Sequence, residues 1–198
     1  MLTLSIQAGG KSSRMGVDKA LLDFGGTTLI QHLLARLDSL ASETLITTNH
    51  PEGYHFLGLP LIPDVIPERG ALGGLYTALS AASQPLVAVV ACDMPFASPA
   101  ILRACREMLQ GDPDLDVAIP STEYGLEPLH AVYRRETCLP AIKAALDTGK
   151  WKAISWHSNV NVRVLSPQEV AVLNPDRLAF ENVNTPAEFE AAVKLSQQ

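Results

Sequence analysis

The chain alternates short apolar runs with segments whose apolar residues recur at helical spacing. Residues 85–91 include an uninterrupted apolar run, which is typical of a strand buried on both faces. Residues 28–40 place four leucines on one side of a predicted helix, at positions 29, 33, 34 and 37. Further strands are predicted over 2–7, 44–48, 116–120, 130–134 and 161–165, and further helices over 73–82, 98–109, 136–146 and 186–195. Strands that alternate with helices predict an α/β fold with a mostly parallel sheet flanked by helices.

Composition limits the classes of protein that fit this pattern. A length of 198 residues with 47% hydrophobic content predicts a single domain over 1–198. The net charge of −6 argues against a nucleic-acid binder, and no apolar run is long enough for a membrane span. The three cysteines, Cys92, Cys105 and Cys138, are odd in number and widely spaced, which favours buried thiols in a reducing compartment. The N-terminus lacks the pattern of a secretory signal, so a cytoplasmic location is expected.

The loop after the first predicted strand combines glycines, hydroxyl groups and cations over residues 8–19. Glycines let the backbone approach a polyphosphate, successive N–H groups can bind anions, and Arg14 and Lys19 can neutralise phosphate charge. Lys11 is the third cation of this loop. The loop matches neither the P-loop nor the Rossmann glycine pattern. A surface turn rich in small residues would have the same composition, so the loop alone leaves both interpretations open.

Two aspartates follow other predicted strands. Asp93 comes directly after the apolar run, and Asp64 follows a short apolar segment. Ligands of parallel α/β sheets bind beyond the carboxyl ends of the strands, where Mg²⁺ takes one or two carboxylates together with substrate phosphates. An ordinary turn or cap residue before Pro95 is the alternative for Asp93.

Five blocks of the sequence together resemble one family, the molybdenum cofactor guanylyltransferases, which are nucleotidyltransferases. The most specific blocks are the first, with its Ala-Gly-Gly and Arg-Met-Gly, and the last, Asn-x-Asn-Thr-Pro. The blocks lie in the family's order and cover nearly the whole chain, at residues 8–19, 70–75, 92–96, 127–133 and 182–186.

The resemblance implies a Rossmann-like nucleotide-diphospho-sugar transferase fold and transfer of GMP from GTP to molybdenum-molybdopterin, with release of pyrophosphate. It also implies Mg²⁺ as cofactor and contacts with maturation proteins of molybdenum enzymes. The preference for GTP rests on Ala8-Gly9-Gly10, because a glycine at the second position leaves room for a purine. Two rival functions remain: a cytidylyl or sugar-phosphate nucleotidyltransferase, and a non-catalytic nucleotide-binding maturation partner.

By the same resemblance, Asp93 anchors the metal and Asn184 supplies a second oxygen to it. Asn182 and Asn184 are the acceptor-binding candidates, with Asn182 close to the acceptor. Arg14, Lys19 and Asp93 are the catalytic candidates. The nucleotide-binding candidates are Gln7, Ala8, Gly9, Gly10, Lys19, Thr47, Asp64 and Asp93. Three of the chain's residues depart from the family's usual choice, namely Gln7, Thr47 and Ala71. Asn182 and Asn184 also alternate along an extended run and precede an expected helix cap at Thr185-Pro186, so a structural role is open for them too.

Overall fold

The sheet and its helices follow the predicted alternation. In a computed structural model, residues 1–8 and 18–197 are described. The strands are β1 Leu2–Gln7, β2 Glu43–Thr47, β3 Leu61–Ile62, β4 Leu86–Ala91, β5 Val117–Thr122, β6 Gly125–Leu126, β7 His130–Arg134 and β8 Val162–Leu165. The α-helices are α1 Leu29–Leu37, α2 Gly70–Ala81, α3 Pro99–Gly111, α4 Arg135–Asp147, α5 Pro167–Leu173 and α6 Pro186–Ser196.

The central sheet has the order β3-β2-β1-β4-β7-β5-β6, and β8 pairs with β5. The β3–β2, β2–β1, β1–β4 and β5–β8 pairs are parallel. Strand β7 runs antiparallel to both β4 and β5, and β6 runs antiparallel to β5. The predicted α/β class with a mostly parallel sheet is therefore confirmed, with β7 as a reversed strand inside it.

Helices cover both faces of the sheet because β4 is apolar on both sides. Ala88 and Val90 pack with α1 and α3 residues on one face, and Val87 and Val89 pack with α2 and α4 residues on the other. A third, smaller hydrophobic cluster includes Phe189 of α6. The Phe189 ring packs edge-on against the Phe24 ring, with 5.6 Å between the ring centroids. Among the described helices, none is both long and apolar enough to cross a membrane.

Several predicted boundaries shift for local reasons. The helix predicted over 28–40 ends at Leu37 and continues as a single 3₁₀ turn, Asp38–Leu40. Helix α2 begins at Gly70, earlier than predicted, and Gly70 has a φ of +54° that only glycine adopts readily. Helix α5 was not predicted, although Ser166 and Glu169 form a complete capping box at its start.

The cysteines lie largely in the interior. All three are free thiols; Cys105 and Cys138 are buried and Cys92 is half-buried. Burial raises the pKa of the Cys105 and Cys138 thiols to about 12. These two side chains are therefore protonated near neutral pH.

Candidate active site

Three neighbouring strands end together at one edge of the sheet. In the register of the sheet, Gln7 at the end of β1 pairs with Thr47 of β2 on one side and with Ala91 of β4 on the other. The ladder continues one residue further, because the Ala8 N–H donates to the Thr47 carbonyl at 2.8 Å and the Cys92 N–H donates to the Gln7 carbonyl at 3.0 Å. Gln7, Ala8 and Thr47 therefore lie at the same edge of the sheet as Cys92, which Asp93 follows in the chain.

The Lys19 ammonium group lies among three oxygen atoms at this edge. It donates to the Val183 carbonyl at 2.9 Å and to Asn184 Oδ1 at 3.0 Å, and it lies 3.5 Å from Asp93 Oδ2. The side chains of Lys19 and Asp93 are 14% and 26% exposed, so the group is shielded but open to a ligand. Three candidates from distant blocks of the sequence, Lys19, Asp93 and Asn184, thus form one cluster.

A short 3₁₀ turn over Lys19–Leu21 positions Lys19. Asp18 caps this turn by accepting a hydrogen bond from the Ala20 N–H at 3.1 Å. The other oxygen of Asp18 accepts from the hydroxyl of the buried Tyr54 at 2.6 Å. Burial, together with this hydrogen bond, raises the pKa of Tyr54 and keeps its hydroxyl a donor. Sequence reasoning assigned no role to Tyr54, since nothing local marks it as a partner of Asp18.

The C-terminal segment is attached to Asp93 through its backbone. The Val183 N–H donates to the Asp93 carbonyl at 2.9 Å. Thr185 caps α6, and the Glu188 carboxylate accepts from the N–H groups of Asn184 and Thr185 at 2.7 and 2.9 Å. These bonds lower the pKa of Glu188. The expected cap therefore exists, and it also holds the backbone of Asn184 in place. The role of Asn184 at the metal stays a prediction.

Two glycines of α2 let neighbouring groups approach the helix closely. A Cβ on Gly74 would lie 2.9 Å from Gln7 Oε1, and a Cβ on Gly73 would lie 2.7 Å from the Arg69 Cβ and 3.2 Å from the Ile66 carbonyl oxygen. The Gln7 Nε2 atom is buried and has no hydrogen-bond partner among the described residues. Gln7 therefore presents an amide donor that a ligand at this edge can use.

Gly73→Ala is expected to lower the free energy of unfolding by about 1–3 kcal/mol, because the new methyl group overpacks against the Arg69 Cβ and the Ile66 carbonyl oxygen. The matched control is Gly111→Ala at the end of α3, where an added Cβ meets nothing within 4 Å. That change should be neutral or stabilising by up to about 1 kcal/mol. Urea unfolding of both variants measures the difference, and equal stabilities would contradict the close contact at Gly73.

Asp64 lies at the end of the edge strand β3 and is engaged by another side chain. Asn49 Nδ2 donates to Asp64 Oδ2 at 2.8 Å, and the Asp64 N–H donates to Asn49 Oδ1 at 2.9 Å. Asn49 was missed from the sequence, although it follows β2 just as Asp64 follows β3. Thr47 itself is buried. Contact of Asp64 with a nucleotide stays a prediction.

The oxygen atoms around Lys19 also fit a hard cation. Within residues 1–8 and 18–197, no group of three or more His, Cys, Asp or Glu side chains is placed to hold a metal on its own. Asp93 Oδ2 and Asn184 Oδ1 nevertheless both face one cation, the Lys19 ammonium. One carboxylate and one amide oxygen, completed by phosphate and water, are a donor set that suits Mg²⁺.

The remaining candidates do not join this cluster. Asn182 is exposed and lines a separate cavity, where its Nδ2 donates to the Phe180 carbonyl at 3.2 Å. Gly9, Gly10, Lys11 and Arg14 lie outside the described residues, and their predicted contacts stay predictions.

Comparisons with known proteins agree on one family. Residues 4–161 match the model of the MobA-like NTP transferase domain. A probable molybdenum cofactor guanylyltransferase of Carboxydothermus hydrogenoformans is 38% identical over 98% of this chain and 96% of its own. A molybdenum cofactor guanylyltransferase of Desulfosudis oleivorans is 32% identical over 94% of this chain and 92% of its own. The crystal structure of molybdopterin-guanine dinucleotide biosynthesis protein A from Archaeoglobus fulgidus has a TM-score of 0.82 at 23% identity over 98% of both chains, which supports the fold.

Proposed function

This chain belongs to the family of MobA-like NTP transferase domains, and from that premise we propose that it transfers GMP from GTP to molybdenum-molybdopterin. The curated relatives across the whole chain are named guanylyltransferases of the molybdenum cofactor. The observation that carries the proposal is the cluster of Lys19, Asp93 and Asn184 at the carboxyl edge of the sheet. A nucleotide-binding partner without catalysis would not require this cluster.

The reaction joins two anions, so the site must position phosphates and offset their charge. The terminal phosphate oxygen of molybdopterin attacks the α-phosphorus of GTP, the bond from that phosphorus to the bridging oxygen breaks, and pyrophosphate leaves. The guanine dinucleotide form of the cofactor is the product. Lys19 offers an ammonium group to the phosphates, and its shielding strengthens this charge-assisted contact. Arg14 provides a second cation in this proposal.

Mg²⁺ completes the proposed site. Asp93 and Asn184 would hold it, and it would neutralise charge at the phosphates. Both oxygen atoms face the Lys19 ammonium group, so they are directed to a common point. On GTP binding, we expect the ammonium group to turn toward the phosphates.

The nucleotide lies over the ends of β1 and β2 in this proposal. Gln7, Ala8, Gly9, Gly10, Thr47 and Asp64 contact it, and the unpartnered Gln7 amide donates to it. Asn182 faces the acceptor. The free thiols agree with a reaction in the cytoplasm. Maturation proteins of molybdenum enzymes would receive the product there. The proposed reaction involves neither nucleic acid nor a membrane.

GTP with Mg²⁺ is expected to raise the melting temperature more than CTP, ATP or UTP at the same concentration. A ligand that binds only the folded state stabilises it by RT ln(1 + [L]/Kd), so the shift ranks the four affinities. Differential scanning fluorimetry measures this ranking. Equal or greater stabilisation by CTP would instead favour the cytidylyl rival.

A further inference from the structure

A cavity of about 670 Å³ is lined in part by Asn182, which directly precedes Val183 and Asn184 of the Lys19 cluster in the chain. One wall is the hairpin of β5 and β6, and the other is α5 with the segment that follows it. Thr122, Glu127, Phe180 and Asn182 are among its lining residues. The cavity thus combines aromatic rings, amides, Arg177 and three carboxylates. Of these carboxylates Glu123 and Glu181 are exposed, and Glu127 is half-buried. The volume suits a bicyclic or tricyclic ligand.

Glu127 is the informative side chain in this cavity. Its carboxylate accepts a hydrogen bond from the Thr122 hydroxyl at 3.2 Å, and it takes part in none of the salt bridges among the described residues. Burial raises the pKa of Glu127, since the charged form loses water there. A half-buried carboxylate with one weak partner is ready to accept further hydrogen bonds from a ligand.

Two backbone hydrogen bonds link residues next to the cavity with residues in or near the cluster. The Ala91 N–H donates to the Leu129 carbonyl at 2.9 Å. Asp93 comes two residues after Ala91, and Glu127 comes two residues before Leu129. Val183 bonds to the Asp93 carbonyl, and the neighbouring Asn182 lines the cavity. The cluster and the cavity are thus linked through neighbouring residues, as a ligand with its phosphate at one and its ring system in the other requires.

We propose that this cavity binds the pterin ring of the acceptor, with the Glu127 carboxylate accepting hydrogen bonds from the pterin N3–H and 2-amino groups. The chemical identity of the acceptor rests on the proposed function. The pyrimidine edge of a pterin carries two adjacent N–H donors, which match the two oxygen atoms of one carboxylate. Asn182 lies between this ring and the phosphates.

Aromatic side chains complete the proposed binding site. Phe180 is fixed because its ring packs edge-on against the buried His130, with 5.2 Å between the centroids. Tyr124 lines the cavity from the hairpin turn and is 89% exposed, so its ring is free to pack on a flat ligand. The ring system is held by apolar contact, and the carboxylate selects its hydrogen-bonding edge.

The test compares pterin with lumazine, which carries an oxo group in place of the 2-amino group. Fluorescence titration gives a dissociation constant for each probe. The protein should bind pterin at least about tenfold more tightly than lumazine. The 2-oxo group of lumazine is a hydrogen-bond acceptor, and it would face the carboxylate, which is also an acceptor. Glu127→Gln keeps the side-chain size and should reduce this preference to less than about threefold. Glu136→Gln removes the same charge from an exposed position in the first turn of α4, away from the cavity lining, and should keep the preference.

Activity measurements separate this inference from the function on which it rests. Glu127→Gln should raise the KM for molybdopterin at least about tenfold and leave the Kd for GTP unchanged, with wild-type thermal unfolding. Guanylyl transfer by a protein with no Glu127-dependent pterin preference would overturn the inference and leave the proposed function standing. A Glu127-dependent preference in a protein that transfers no guanylyl group would support the inference and overturn the function.

Discussion

Asp93→Ala is expected to lower the rate of pyrophosphate release from GTP and acceptor by at least about a thousandfold. The metal loses its carboxylate, and a charge contribution of several kcal/mol corresponds to this factor. The fold should persist, because Asp93 binds Val183 through its backbone carbonyl, which alanine retains. A coupled pyrophosphate assay on the purified variant measures the loss, and thermal unfolding checks the fold.

The matched control for this experiment is Asp147→Ala. Asp147 is an exposed carboxylate in α4 whose ion pair is with Lys143, one helical turn away. Its removal takes the same charge from the protein far from the sheet edge, so the rate should stay within about twofold of wild type. If Asp93→Ala released pyrophosphate as fast as Asp147→Ala, Asp93 would not be the metal anchor.

Lys19→Ala is expected to weaken GTP binding by roughly 1.5–3 kcal/mol, which is about tenfold to a hundredfold in Kd. The variant loses a shielded, charge-assisted contact with phosphate, and Asn184 loses the donor that now holds its side chain. Isothermal titration with GTP and Mg²⁺ measures the change. Lys194→Ala, in the last turn of α6, removes an exposed cation and should leave the Kd unchanged.

Asn182→Ala should have the opposite pattern from Lys19→Ala. GTP affinity should be preserved, because Asn182 lines the neighbouring cavity and not the cluster, and the KM for molybdopterin should rise. Titration with GTP alone and transfer assays over a range of acceptor concentrations separate the two effects. A loss of GTP affinity with unchanged acceptor dependence would place Asn182 on the nucleotide side.

The sheet was largely predictable because its signals are local. The apolar run that became β4 is buried along its whole length, as a central strand requires. The reversed direction of β7 was not predictable, since residues 130–134 look the same in either direction and partner strands fix the choice. Strands β3 and β6 have two residues each, too few for a periodic pattern.

Candidate site residues could be named from the sequence, but the contacts between them could not. Lys19, Asp93 and Asn184 were named from their motifs, yet their meeting depends on how β1, β4 and the C-terminal segment pack. Tyr54 and Asn49 were missed because their partners, Asp18 and Asp64, are far away in the sequence. The Glu127 carboxylate belonged to a recognised block, but only the fold shows the cavity that it faces.

The hydrogen bond between Lys19 and Asn184 joins residues separated by 165 positions. At a synthesis rate of about 5–20 residues per second, a ribosome needs roughly 8 to 33 seconds to add Asn184 after Lys19. During that interval β1, β2 and β4 can pair, but the ammonium group has neither its amide nor its carbonyl partner. The nascent chain therefore cannot assemble the charged centre until its last motif has left the ribosome. Any chain cut short before Val183 is expected to be inactive, however well its sheet folds.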